Sequence, residues 1–495
     1  MLDCIFAGGG PRLRRLVGIA GLCAIPAVAM AGDVAPTPDG AQKLSDVLSR
    51  YIGSKDALSV AVEGDHYAAT LDFAKLLASI GAQGVSIVDA APAKANLVEQ
   101  SDGAWRVTRD GYTPIILNMK ESAASIHVDG YKFDGLFDPA LYGFRNAETK
   151  MDKADIQVHA PKFDETMTFA PAQATVTGAA AAGGGYTGTV KEEVGQITIL
   201  VTPKKPEQTD GAQASSPVSI KLGGLSIEVS LDNMRLREMF DLWAYFVAHP
   251  NRAALATDEA ALKAKLRALL PFVDKLNETY AVQNIEIDTP KGVVKLGDIK
   301  GRFAADKFPS TGDMEVHLAA GAITPPAGVI PAPLSGFVPS SIDINLKYGG
   351  YDYVAAAEEA INDLHLAGEG PVISDADREK IPAKMMSGGP IHFTFLPSHI
   401  VAQQLDLSFE GELQVTGARP IGKMTVKARN FDNTISALKG AGPQIATPQL
   451  IAGLALAKGL GKTESDGSLT WVAEYGADGA IKVNGLALGK APAAQ

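Results

Sequence analysis

The sequence predicts an α+β, β-rich fold: long curved antiparallel sheets built from repeated strand-helix-strand units, with amphipathic helices packed on one face. Three observations carry this. Long stretches alternate apolar and polar residues with period two, as strands with one wet face do. Segments with apolar residues at i, i+3, i+4 and i+7 fall between them, as amphipathic helices require. Asp-Gly pairs at 102–103, 129–130, 466–467 and 478–479 are hairpin turn signals. The composition agrees: 495 residues, 46% hydrophobic and 20% charged, make a globular chain able to bury a core.

The chain opens on an address. Arg12, Arg14 and Arg15 precede an apolar stretch from Leu16 to Ala31, which closes on Ala29-Met30-Ala31. Positive flank, short apolar core and small-residue exit predict a secretory signal over 1–31, cleaved after Ala31. A membrane-spanning helix would need about 20 apolar residues. The predicted location is the periplasm of a Gram-negative type of cell, with membrane association only if the signal stays uncleaved. Cys4 and Cys23, the only 2 cysteines, leave with the signal, so the mature body has neither a disulfide nor a thiol nucleophile. A net charge of −11 argues against a nucleic-acid partner, which requires a basic face.

Three α+β units follow, over 32–202, 218–325 and 326–495. The polar, Pro-bounded run 203–217 reads as a linker or loop. In the first unit, Leu44, Val47, Leu48, Tyr51 and Ile52 predict a helix over 39–53 that Gly53 caps. A strand over 58–63 comes next. A second helix then has Thr70 as its N-cap, Phe73, Leu76, Leu77 and Ile80 on one face, and Gly81 at its end.

In the central unit, alternation from Leu225 to Leu231 predicts a strand. Leu236, Met239, Phe240, Trp243, Phe246 and Val247 mark a helix ending at Pro250. Thr257 caps a further helix running from Leu262 to Leu276, which Pro271 should kink or split. In the C-terminal unit, strands over 341–348 and 424–428 each precede a helix. One helix carries Val354, Ala357, Ile361 and Leu364, and the other centres on Ile435 and Leu438. The stretch 404–416 alternates throughout, with Leu405, Leu407, Phe409, Leu413 and Val415 on one side. Gly411 falls on that apolar side and marks a bulge or bend. Thr447, Pro448 and Gly461 bound a last helix, and 466–488 closes the chain as a hairpin.

Motifs that could carry chemistry lose their force in context. Gly183, Gly185 and Gly188 fit a dinucleotide fingerprint, but alternating residues rather than a helix follow, so they read as a turn. Gly461-Lys462-Thr463 sits at a helix end, where a phosphate loop needs a helix start. Ser436-Ala437-Leu438-Lys439 lacks the partner motifs of penicillin-binding enzymes. His392 and His399, seven apart on a strand, point to opposite faces unless Pro397 re-aims one. Ser374 and Asp377 form a capping box, which accounts for Asp375 and Asp377. The sequence assigns no catalytic residue, no cofactor and no metal site. The stripe Met239, Phe240, Trp243 and Phe246 reads first as core. If a groove is open, these residues with Leu405, Leu407 and Phe409 are the contacts for an apolar ligand.

An exported cysteine-free body, strand-helix units such as 341–364 and 423–438, and the closing hairpin 466–488 occur together. This pattern resembles the periplasmic families of unknown function allied to AsmA-like envelope proteins. The resemblance covers most of 33–489 and implies elongated curved antiparallel sheets and roles in envelope upkeep or lipid handling. It transfers no catalytic residue. The expected function is a non-enzymatic periplasmic protein that holds a lipid-like or hydrophobic ligand. The alternatives are an envelope interaction protein with a closed core, whose partner is another envelope protein, and a hydrolase with an unrecognised site.

Overall fold

A computed structural model describes residues 35–490, apart from 80–84, 90, 113, 120, 205–215, 307–311, 388, 417–418 and 443–444. The predicted signal and most of the 203–217 run lie outside the described residues.

The described strands join in one 25-stranded sheet. From Phe163 onward it is an antiparallel meander. Phe163–Ala180, Tyr186–Pro203, Gly224–Met234, Lys275–Thr289, Gly292–Asp306 and Met314–Gly321 pair in sequence. Pro339–Gly349, Ile391–Ala402, Leu405–Thr416, Arg419–Arg429, Leu469–Tyr475 and Ala480–Val483 continue it. Ahead of the meander two ribbons run side by side. Gly143–Met151 ends one, against the C-terminal half of Phe163–Ala180, and Lys153–His159 ends the other, against its N-terminal half. One sheet therefore crosses all three predicted units.

The first helix, Pro38–Ile52, follows the sequence closely. The Thr37 hydroxyl accepts from the Gly40 amide at 3.1 Å, and Gly53 ends the helix at φ 78°. Its Ala41, Leu44 and Leu48 bury against Tyr67, Leu97, Trp105, Phe137 and Phe144 on the sheet. The middle helices behave differently. Leu236–Ala248, Arg252–Ala256 and Glu259–Ala268 form one insertion between strands, and Tyr353–Asn362, Asp375–Arg378 and Ile381–Met385 form another. These insertions meet in a lobe with its own core of Leu242, Tyr245, Leu262 and Leu366, and Arg267 reaches Glu358 at 3.0 Å.

Several expectations need correction. Thr70 belongs to the strand His66–Leu71, paired with Ser59, because a two-residue turn folds this strand back on Leu58–Glu63. The Asp72 carboxylate caps the following helix instead, accepting from the Lys75 amide at 3.0 Å. Asp258 rather than Thr257 caps Glu259–Ala268. That helix stops at Ala268, before Pro271, which has no N–H to continue it, and Leu276 lies in a strand. Asp129-Gly130 is not a hairpin turn, since Ser122–Asp129 pairs with Lys153–His159 while Lys132–Asp138 pairs with Trp105–Asp110. The bulge expected at Gly411 sits on its partner strand, between Phe395 and Ser398. The extra residue shifts the alternation there, so His392, opposite Gln414, and His399, opposite Ser408, share a face. Gly411 is needed for close approach, because a Cβ there would strike the Lys423 carbonyl.

A crease crosses the middle of the sheet. Gly195, Gly223 and Gly297 occupy it, with Asn284 at φ 49° on the strand between the last two. A Cβ on Gly195 would come within 2.8 Å of the Ala170 carbonyl. The alternation shifts by one residue at this line, so Val194 and Ile197 enter the same core with Met167 and Ile199. In the same ribbon Glu165 lies opposite Val158 and Val201, and burial pushes its carboxyl above the usual range. An acid whose folded pKa is raised contributes stability below its unfolded pKa and loses it as pH climbs through the folded one. Glu165→Gln should therefore raise the melting temperature by about 1–3 °C at pH 8 and leave it unchanged near pH 4, read by scanning calorimetry at both pH values.

Candidate functional site

Paired residues of antiparallel strands share a face, so the register can be followed across the whole sheet. One cross-strand row begins at Val62, Tyr67, Leu97, Val107, Gly135 and Ala147. It passes through Val176, Val190, Val229, Glu278 and Phe303. It then runs through Val316, Leu346, Phe395, Gly411, Met424, Ala473 and Val483. Apart from Glu278 the row is uncharged. Flanking rows on the same face hold Leu276 and Tyr280, Ile299 and Gly301, Leu318, Ile344, Leu407 and Phe409.

The two ends of this apolar face are covered. The helix Pro38–Ile52 seals the first end over Tyr67, Leu97 and Ala147. At the other end Trp471, opposite Val426, meets the Phe431 ring at 5.2 Å and donates its indole N–H to the Ala457 carbonyl at 2.7 Å. Those contacts come from the helices Phe431–Gly440 and Pro448–Leu460. Between the two ends Val229, Glu278, Phe303, Leu346, Phe395 and Met424 are half-buried and Val316 is exposed. Val316 and Leu318 are each 37% exposed, high for aliphatic side chains in mid-strand. The middle helices do not relieve this, because they bury their apolar residues on one another. The result is an apolar trough, covered at both ends and partly exposed in its middle around Val316 and Leu318, with Ala305, Met314 and Ser398 on the same face buried.

The opposite face is charged and internally paired. Lys191 meets Glu228 at 3.3 Å, Arg302 meets Glu315 at 3.5 Å, and Lys427 meets Asp466 at 2.9 Å. A cleft of about 1010 Å³ opens there, lined among others by Thr177, Thr189, Ser230, Asn277, Arg302 and Lys347. At its rim burial pushes the Asp313 carboxyl up. Lys347 at 2.8 Å and His392 at 2.9 Å more than offset that and hold it below its usual range. Arg302 also donates to the Asn277 side-chain oxygen at 2.9 Å, so these charged groups already hold protein partners.

The predicted ligand contacts divide into two groups. Leu405, Leu407 and Phe409 lie on the trough side of Leu405–Thr416, half-buried, with the Phe409 ring 6.1 Å from that of Phe395. Met239, Phe240, Trp243 and Phe246 lie on the helical lobe. Phe240 packs edge-on against Tyr51 at 5.9 Å, and the Trp243 indole donates to the Tyr51 carbonyl at 2.7 Å. This stripe therefore ties the lobe to the first helix, leaving Trp243 42% and Phe246 38% exposed. Sequence reasoning missed Val316, Leu318, Leu346 and Phe303, although each falls in the apolar phase of an alternating strand. It also missed Glu278, an acid in that same phase.

Among the described residues no group of three or more His, Cys, Asp or Glu is placed to hold a metal, and no helix is long and apolar enough to cross a membrane. No family model, curated protein or solved structure matches the chain.

Proposed function

We propose that this is an exported envelope protein that holds a lipid-like ligand against the open middle of its apolar trough, without catalysing a reaction on it. One observation carries the reading: the row from Val229 to Met424, uncharged apart from Glu278, is half-buried over successive paired strands, and Val316 in it and Leu318 beside it are each 37% exposed. A contiguous apolar face that folding leaves partly exposed is a surface a ligand can cover. An acyl chain laid across it would remove that surface from water at about 25 cal/mol per Å². The N-terminal address supports export, and lipid handling is what the AsmA-like resemblance implies.

Native mass spectrometry and lipid extraction of the protein, purified from the envelope fraction of its own host, test this. The expected result is a bound lipid in near-stoichiometric amount. Recovery of protein with no bound lipid would overturn the proposal.

A second reading has its own observation. The outermost strand, Leu486–Lys490, is exposed throughout, with Leu486 at 57% and Leu488 at 52%. An unpaired apolar edge can accept a strand from a partner envelope protein. Crosslinking from position 488 in cells should then capture one defined partner, and capture of none counts against this reading.

A further inference from the structure

We infer that the ligand of the trough carries a cationic amine group, held by the Glu278 carboxylate beside the rings of Tyr280 and Phe303. This rests on the lipid-holding reading above and names the chemistry of its ligand.

Glu278 is the one charged residue in the row from Val62 to Val483. Its cross-strand partners are Val229 and Phe303, and its same-face neighbours along the strand are Leu276 and Tyr280. One strand further out lie Val190 and Val316. None of these carries a positive charge. The basic residues nearby belong to the other face: Lys191 lies opposite Glu228, Arg302 opposite Thr279, and Lys347 opposite Glu315. The other acid on the apolar side of this region is the exposed Glu192, opposite Ile227. The open trough thus presents negative charge and no compensating cation.

The surroundings select the kind of cation. Tyr280 lies opposite Gly301, and a Cβ at Gly301 would overlap the Tyr280 ring, so the missing side chain lets that ring lie across the neighbouring strand. Phe303 is directly across from Glu278, where cross-strand side chains sit about 4.5–5.5 Å apart. A carboxylate flanked by two aromatic rings suits an ammonium, which pairs with the oxygen and presents its N–H or N–CH₃ groups to the rings. An amphiphile with an amine head and an alkyl chain satisfies both features, with the head at Glu278 and the chain over Val316, Leu318 and Leu346. A ligand with a carboxylate head would instead place like charges together.

The test compares two probes of equal chain length, dodecylamine and laurate. Each is titrated calorimetrically into the full-length protein at pH 7, below its micelle concentration. Dodecylamine should bind about tenfold more tightly. Glu278→Gln should lower amine affinity about tenfold and should not weaken laurate binding. The net charge of −11 favours amines everywhere on the surface, so Glu228→Gln on the opposite face is the control and should keep the preference. Equal binding of both probes to the wild-type protein overturns the amine assignment while leaving the trough reading intact, and so does a preference that survives Glu278→Gln. Failure of both probes to bind the wild-type protein removes the trough reading and this inference with it. If Glu278→Gln does not fold, Glu278→Asp serves instead: drawing the carboxylate back by one methylene should lower amine affinity several-fold without weakening laurate binding, and unchanged amine affinity overturns the inference.

Discussion

Val316→Asp combined with Leu318→Asp should weaken binding of an alkyl-chain ligand at least about a hundredfold and shift the melting temperature by less than about 3 °C. The two effects separate because water already reaches both side chains, each 37% exposed on Met314–Gly321. A carboxylate placed there remains hydrated in the folded protein, so folding loses little. A bound alkyl chain would cover those carboxylates and strip their water, and it would also lose two apolar contacts. Losing the burial still open to two such side chains corresponds to about 1–2 kcal/mol, and stripping water from two carboxylates adds more, which together reach about two decades of affinity. Titration with uncharged dodecanol and a thermal melt of the same preparation decide the matter. A melting temperature lower by more than about 10 °C would mean that these residues form a closed core, and undiminished binding would place the ligand elsewhere.

The contrast between folding and binding on one sheet explains what the sequence could disclose. Period-two alternation identified the strands because every residue on a strand must face one side or the other. The expected stretch 404–416 becomes Leu405–Thr416, and 341–348 lies within Pro339–Gly349. Capping chemistry was equally local: Thr447 before Pro448, and Gly53 after the first helix. What alternation cannot carry is the identity of the covering layer. Leu318 and Leu48 are both leucines in periodic segments, yet Leu318 is 37% exposed and Leu48 is 1% exposed, because a helix meets one and water the other. The stripe Met239, Phe240, Trp243 and Phe246 has helical period whether it faces a groove or the first helix, so its pattern could not decide between them.

The crease follows the same logic. Gly195, Gly223 and Gly297 are far apart in sequence and become one line only when the register brings them together. Glu278 was more accessible. In Leu276-Asn277-Glu278-Thr279-Tyr280 the acid occupies the apolar phase, and comparing each strand's phase with its charges would have singled it out.

Phe137→Ala should cost about 3–5 kcal/mol of stability, read from the shift of the urea midpoint at constant slope. Phe137 is 0% exposed, with its ring 5.5 Å from that of Phe144, and it shares a core with Leu48, Trp105 and Tyr67. Truncation removes most of an aromatic side chain from a site bounded by the sheet below and the helix Pro38–Ile52 above. Trp105 and Phe144 are themselves held in place there, so the cavity cannot collapse fully. Truncation to alanine at the partly exposed Leu318 should cost about 1 kcal/mol, since only part of the side chain is removed from water and no closed cavity forms. This difference is the thermodynamic counterpart of the proposed division of labour. The sealed end of the apolar face holds the first helix to the sheet, while the open middle has apolar area not yet used by folding and therefore available to a ligand. A loss below about 1 kcal/mol for Phe137→Ala would mean that the first helix is not a tight cover. A loss above about 2 kcal/mol for Leu318→Ala would mean that the trough is closed in solution.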